Sequence, residues 1–171
     1  MKATRRRQLV IALKKVMAEV GYDRASVVAV ADAAGLSPSL VHHNFANKEA
    51  MLEALLRQLT EDLRARMAPA TTVDRALEAA LGLGPAADPT AARVWVAIFA
   101  QSLHRPDLRR RVRVALARYR RALVRVGAAD DEAILLLALT VGMLLLGTID
   151  ADLLRGRASS LARRVELSSG R

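Results

Sequence analysis

The 171-residue chain contains no cysteine. That excludes a disulfide framework, a thiolate metal site and a cysteine nucleophile, and it fits the reducing cytoplasm. Histidine is nearly as scarce: His42, His43 and His104 are the whole supply. Two adjacent helical residues diverge by about 100°, and a zinc ion takes about three or four protein ligands, so no metal site is expected. Paired carboxylates, a glycine-rich phosphate loop and a serine-histidine arrangement are also missing. An enzyme would have to rest on His104 alone, and no cofactor motif is present. Aromatic residues make up 3% of the chain, and long alternating β-branched runs do not occur. With Ala and Leu abundant, the chain reads as all-α. Glycine and proline number 9 and 5 against 53% hydrophobic residues, which excludes a disordered or fibrous chain.

What is present in excess is positive charge. The formal net charge is +10, and it is spread along the chain. Such a balance points to an anionic partner, with nucleic acid first and an anionic membrane surface second. The opening "MKATRRRQLVIALKKVMAEVGY" has the charge of a signal peptide, but Lys14, Lys15 and Glu19 interrupt its apolar part and no small-residue cleavage site follows. It reads instead as an amphipathic helix from about Thr4, with Leu9, Leu13, Val16, Met17 and Val20 on one face and Gly21 at its end.

Capping residues then divide the next stretch. Ser26 starts a helix carrying Val27, Val30, Ala31 and Ala34 that stops at Gly35. Ser37 starts a third, with Pro38 at the first helical position, where a missing N–H costs nothing. Asn47 starts a longer fourth helix, with Met51, Leu52, Leu55, Leu59, Leu63 and Met67 apolar, ending before Pro69. A helix from about Thr72 to Leu83, the linker "GPAADP", an apolar helix at about 90 to 104 and an arginine-rich helix at about 106 to 126 follow. The longest apolar run reaches Ile149, and a short polar helix is expected at about 157 to 167.

Residues 27 to 45 meet the packing demands of a helix-turn-helix. Val30 faces the core, Ala31 is small where the helices cross, Gly35 makes the turn, Leu36 plugs the corner, and Val41 and Phe45 anchor the second helix. The opposite face of that helix carries Ser39, His42 and His43 at i, i+3 and i+4, small and polar as a major-groove reader requires. Pro38 sits at its start. Ser26, Ser37 and Lys48 mark helix starts, where free N–H groups attract phosphate oxygens. Arg5, Arg6 and Arg7 form a basic arm that opposes the helix dipole, which suggests a role in phosphate contact. A solvated terminus, a surface lysine and exposed histidines without a contact are the plainer readings. A nonspecific basic DNA-binding protein is the main rival to a sequence-specific one.

The segment "GYDRASVVAVADAAGLSPSLVHHNFANKEAML" resembles the N-terminal domain of TetR-type transcriptional regulators. Gly21, Tyr22, Ser26, Val30, Ala31, Ala34, Gly35, Ser37, Phe45 and Lys48 match the pattern, while His42 stands where the family usually has a phosphate-contacting tyrosine and Ser39 where it often has glycine. The resemblance implies a helix-turn-helix DNA-binding domain over residues 1–47 and a helical effector-binding and dimerisation domain over 48–171. It also implies a repressor that binds double-stranded DNA as a homodimer and answers to a small-molecule effector of unknown identity. "RVWVAIFAQSLHRPDLRRRVRVALARYRRAL" looks like the C-terminal domain of the betaine-pathway repressor group in this family, a likeness that carries no choline-like ligand with it.

In the second domain, Ala133 to Ile149 gives 17 uncharged residues, at the short limit for a membrane span. The run lacks basic or aromatic interface anchors, so no membrane partner is expected. A helix apolar on all sides can bury one face in its own domain and the other against a symmetry mate. Leu135, Ala138, Leu139, Gly142 and Leu146 are the candidate interface. Trp95, Phe99, His104, Tyr119 and Met143 are candidates for an effector pocket, with plain core as the alternative. Nine arginines between Arg105 and Arg125 read either as the solvated face of a helix buried through Leu108, Val112, Ala115, Tyr119 and Leu123, or as the site of an anionic effector such as an acyl thioester or of an acidic partner.

Overall fold

In the computed structural model, which describes residues 2–82 and 89–150, every element among the described residues is a helix. They run α1 (Lys2–Arg24), α2 (Val27–Ala34), α3 (Pro38–Asn44), α4 (Lys48–Met67), α5 (Val73–Leu81), α6 (Pro89–His104), α7 (Pro106–Arg125) and α8 (Asp130–Ile149). Most of the linker and the expected helix at 157 to 167 lie outside the described residues.

α1 begins at Lys2, so Thr4 lies inside the helix and does not cap it, and Arg5 to Arg7 lie in its first turns, as expected for a basic run at the start of the helix. Its apolar stripe is core through Leu9, Leu13, Val16 and Met17. Val20 continues the stripe but is 44% exposed. The helical path breaks one residue later at Gly21 (φ 78, ψ 171), a conformation that a side chain would strain, and Tyr22 beyond the break is buried instead.

In the head, the helices α1–α3 that lead into α4, the caps fall where the sequence places them. Ser26 Oγ accepts from the Ala29 N–H, Ser37 Oγ from Leu40, and Asn47 Oδ1 from Ala50. Gly35 closes α2 in the left-handed region (φ 63), where its N–H meets the carbonyls of Ala31 and Asp32. α5 ends the same way at Gly82, earlier than the expected Leu83.

The core does not divide where the head ends. One apolar cluster takes in Leu13 of α1, Val30 of α2, Val41 of α3 and Leu55 of α4, and continues into Trp95 and Ile98 of α6 and Val112 of α7. A second joins Met67 at the end of α4 to Val73 and Leu77 of α5, Tyr119 and Leu123 of α7, and Leu136 of α8. α4 therefore runs through both. Burying one leucine of this kind contributes roughly 1.5–3 kcal/mol, so the packing of α4 in both clusters ties the head to the rest.

α6 is apolar nearly all round and expected to be buried, yet among its described side chains only Val94, Trp95, Ile98 and Ser102 are buried, and Leu103 is 66% exposed near its end. The last carbonyls of α6, Ser102 and Leu103, accept hydrogen bonds from the Arg109 guanidinium of α7, which closes that end of the helix in place of a glycine cap. α7 buries the stripe the sequence marks, Leu108, Val112, Ala115, Tyr119 and Leu123. α8 buries Ala133, Leu136, Thr140 and Met143 and leaves Ile134, Leu135, Leu145, Leu146 and Ile149 exposed.

Candidate nucleic-acid interface

α3 is a seven-residue helix held between a capped start and a clamped end. Val41 (1% exposed) and Phe45 (3%) turn inward, as their spacing predicts. Asn44 is buried too, and its amide donates to the Leu40 carbonyl at 2.7 Å. With these three fixed, Ser39, His42 and His43 stand exposed on the other side, and Pro38 is exposed at the helix start.

α1 braces this reading surface from behind. Gln8 Nε2 donates to the Ala34 carbonyl at the end of α2 at 2.7 Å. Arg6 donates to the Asn44 carbonyl at the end of α3, and its guanidinium lies 4.2 Å from the centre of the Phe45 ring. A cation beside the last carbonyls of a helix is favourable to the helix dipole, and one over an aromatic face adds to it. The three arginines therefore differ: Arg5 and Arg7 are exposed, whereas Arg6 is half-buried and engaged with α3. Sequence reasoning missed Arg6 as a brace, although a signal existed. Arg6 precedes Leu9 by three residues and Val10 by four, so it shares the buried side of α1.

Ser26 and Ser37 are exposed, and each uses its oxygen as a cap while keeping its hydroxyl proton available. Lys48 is half-buried. Its Nζ donates to the Asp23 carbonyl at 3.2 Å and sits 4.1 Å from the centre of the Tyr22 ring. Burial lowers the pKa of its ammonium group, opposed by the carboxylates of Asp23 and Glu49.

Lys48 belongs to a polar cluster that the sequence does not reveal. Tyr22 donates to Glu49 at 3.3 Å and receives from Arg105 at 3.0 Å, while Gln101 donates to the Asp23 carboxylate at 3.2 Å. Burial, followed by the Glu49 charge, raises the Tyr22 pKa. The cluster joins the break in α1 and the start of α4 to the corner between α6 and α7. Its members are up to 83 residues apart.

The candidate effector residues are not gathered in one place. Trp95 and Phe99 stack with ring centres 5.6 Å apart. His104 is exposed at the end of α6, and Met143 is buried on α8. Tyr119 is buried with its hydroxyl 2.8 Å from Thr140 Oγ1, and burial pushes its pKa up to about 12 against the effect of that hydrogen bond. Of the five, Tyr119 borders a cleft of about 470 Å³ between α4 and α7 and the other four do not. The candidate interface residues all lie on α8: Leu135, Ala138 and Leu146 are exposed, and Leu139 and Gly142 half-buried.

Two short helices joined by a glycine turn, with polar side chains displayed on the second and its apolar side locked into a helical support, define a DNA-binding helix-turn-helix protein. Residues 9–55 match the family described as bacterial regulatory proteins, tetR family. The HTH-type transcriptional regulator BetI of Escherichia coli (strain K12) is 31% identical over 181 residues, covering 95% of this chain and 92% of that protein. A transcriptional regulator from Rhodococcus sp. Rha1 is 30% identical, with a TM-score of 0.80 and coverage of 95% and 94%. A transcriptional regulator from Saccharomonospora viridis in complex with choline shares the fold at 21% identity, a TM-score of 0.70 and coverage of 95% and 93%. The chain belongs to the tetR family of bacterial regulatory proteins and is a DNA-binding transcriptional regulator.

Proposed function

We propose that the protein is a repressor that binds a palindromic operator as a homodimer and is released from it by a small-molecule effector. The carrying observation is the exposure of Ser39, His42 and His43 together on α3, on a helix whose other side is buried through Val41, Asn44 and Phe45. Those three side chains and Pro38 meet base edges and the adjoining backbone. Neutral imidazole both donates and accepts, so each histidine suits a major-groove edge. Arg5, Arg7, Ser26, Ser37 and Lys48 contact phosphates, and Arg6 contributes by holding α3 in register.

In this reading residues 1–47 form the DNA-binding domain and 48–171 the effector-binding and dimerisation domain, at work in the cytoplasm. α8 is long and apolar enough to cross a membrane by length and composition. A second copy is the better partner for its outer face, because Ala138 and Gly142 permit close approach between Leu135 and Leu146. The dimer would set two α3 helices about 34 Å apart, one helical turn of DNA. An effector acts by binding the released state more tightly than the bound one.

A mobility-shift assay with the DNA upstream of the gene tests this reading. Retention at an inverted repeat that survives excess scrambled competitor is expected. Equal affinity for scrambled DNA, falling steeply with salt, would mark a nonspecific basic protein instead.

A further inference from the structure

Part of the exposed arginine face of α7 borders a cleft. Arg118, Arg121 and Arg125 follow one another at i, i+3 and i+7, so they line one side of the helix, and together with Arg64 of α4 they surround the 470 Å³ cleft. Its apolar lining includes Leu63, Met67 and Ala122 beside Tyr119. Glu61 is the single acid among its lining residues. Some arginines of α7 are already occupied: Arg111 pairs with Glu53 at 3.1 Å, Arg120 with Asp130, and Arg125 donates to the Met67 carbonyl. Arg64, Arg118 and Arg121 have no ion pair among the described residues. With four guanidinium groups against the single carboxylate of Glu61, the lining is net positive, which favours an anion held between the arginines over a cation.

The hollow also has room. Cavities of about 300–1,000 Å³ hold small-molecule ligands. A second hollow of about 460 Å³ shares Thr60, Glu61, Ala115 and Arg118 with the first and continues along the same groove toward Arg110, where Glu53 and Asp107 also line it. A quaternary ammonium ligand, like the choline bound by the Saccharomonospora viridis protein, wants several aromatic faces or a carboxylate cage. This cleft offers it one tyrosine, one glutamate and four guanidinium groups.

We propose that the α4–α7 cleft binds an anionic amphiphile, a carboxylate or phosphate head on an apolar body, and that this ligand is the effector. The effector role rests on the regulator reading above; the ligand class rests on the cleft alone.

The test is calorimetric titration of the full chain with four probes of one chain length, each below its micellar concentration: decanoate, decyl phosphate, decan-1-ol and decyltrimethylammonium. One or both anions are expected to bind at least about tenfold more tightly than the alcohol or the ammonium, and the preference between them identifies the head group. Arg64→Gln and Arg118→Gln should each weaken that binding by about tenfold to a hundredfold. Arg113→Gln, outside both hollows, should leave it unchanged. Equal or tighter binding of the ammonium, no binding of either anion, or unaltered affinity in the Arg64 and Arg118 variants overturns the proposal. Operator retention is measured on the same preparation without ligand, so failure of the DNA-binding reading shows separately. An anion that binds in the cleft without releasing operator DNA overturns the effector role and upholds the ligand class.

Discussion

The hydroxyl of Tyr22 accepts a hydrogen bond from the Arg105 guanidinium at 3.0 Å, which joins the residue just past the break in α1 to the residue between α6 and α7. The same hydroxyl donates to Glu49 at the start of α4. One phenol oxygen therefore holds three segments together, the break in α1, the start of α4 and the α6–α7 corner. The phenol thus links the α6–α7 corner to α4 and α1 beside the apolar core that they share.

Tyr22→Phe keeps the ring under Lys48 and removes only the oxygen. The variant should lose about 1–2 kcal/mol of stability, since a hydrogen bond to a charged group contributes more than a neutral one. Arg105→Gln should lose a similar amount. In a double-mutant cycle by chemical denaturation the two losses should overlap, with a coupling of about 1 kcal/mol. Strict additivity would show that the pair does not act as a unit.

His42→Ala should weaken operator binding by about tenfold to a hundredfold, the discrimination that one good base contact supplies. Because His42 is exposed, melting temperature and oligomeric state should stay at the wild-type values. A variant that unfolds would place the side chain in the support and not on the reading surface.

The basic run at the start of α1 should separate into two behaviours. Arg5→Ala or Arg7→Ala should lower DNA affinity for all sequences and reduce the slope of log affinity against log salt by about one. Arg6→Ala should instead cost about 1–2 kcal/mol of folding stability, through the lost Asn44 carbonyl contact and the lost Phe45 stacking. Denaturation and salt titration on the three variants distinguish the two roles.

That contrast shows where the sequence is readable. Ser26, Ser37 and Asn47 cap their helices as their residue types and spacing indicate, because a cap is a contact across three residues. The buried sides of α3 and α7 follow from periodicity in the same way. The links from Arg6 to Asn44 and from Arg105 to Tyr22 span 38 and 83 residues, and nothing local fixes them. The cleft is hidden for the same reason. Arg118 and Arg121 show their common face in the sequence, but only the packing of α7 beside α4 supplies Arg64 and the apolar lining.

Tyr119 should give the fold an alkaline limit. Its pKa is raised to about 12 by burial, so the folded state keeps the phenol neutral while an unfolded chain ionises it near an ordinary value of about 10. A raised acid pKa stabilises the fold below the unfolded value, and that contribution is lost as pH rises from about 10 toward 12. Two pKa units correspond to roughly 2–3 kcal/mol. Because pH 11 lies midway between the two values, denaturation at pH 8 and pH 11 should show about half of that loss, roughly 1–1.5 kcal/mol. Tyr119→Phe should be less stable at pH 8, through the broken bond to Thr140, and should fall less between the two.

The outer face of α8 gives the last expectation. Leu135 and Leu146 are 56% and 43% exposed, so a charge at either position does not enter the core of a single chain. If a second copy covers that face, Leu135→Asp or Leu146→Asp buries an unpaired carboxylate in the interface and should shift the protein from dimer to monomer in analytical ultracentrifugation. Operator affinity should fall with it, because two α3 helices can no longer engage both half-sites at once. Asp131→Asn, at the polar start of the same helix, should leave the assembly as it is. A sedimentation profile unchanged by both leucine substitutions would place the dimer contact elsewhere on the chain.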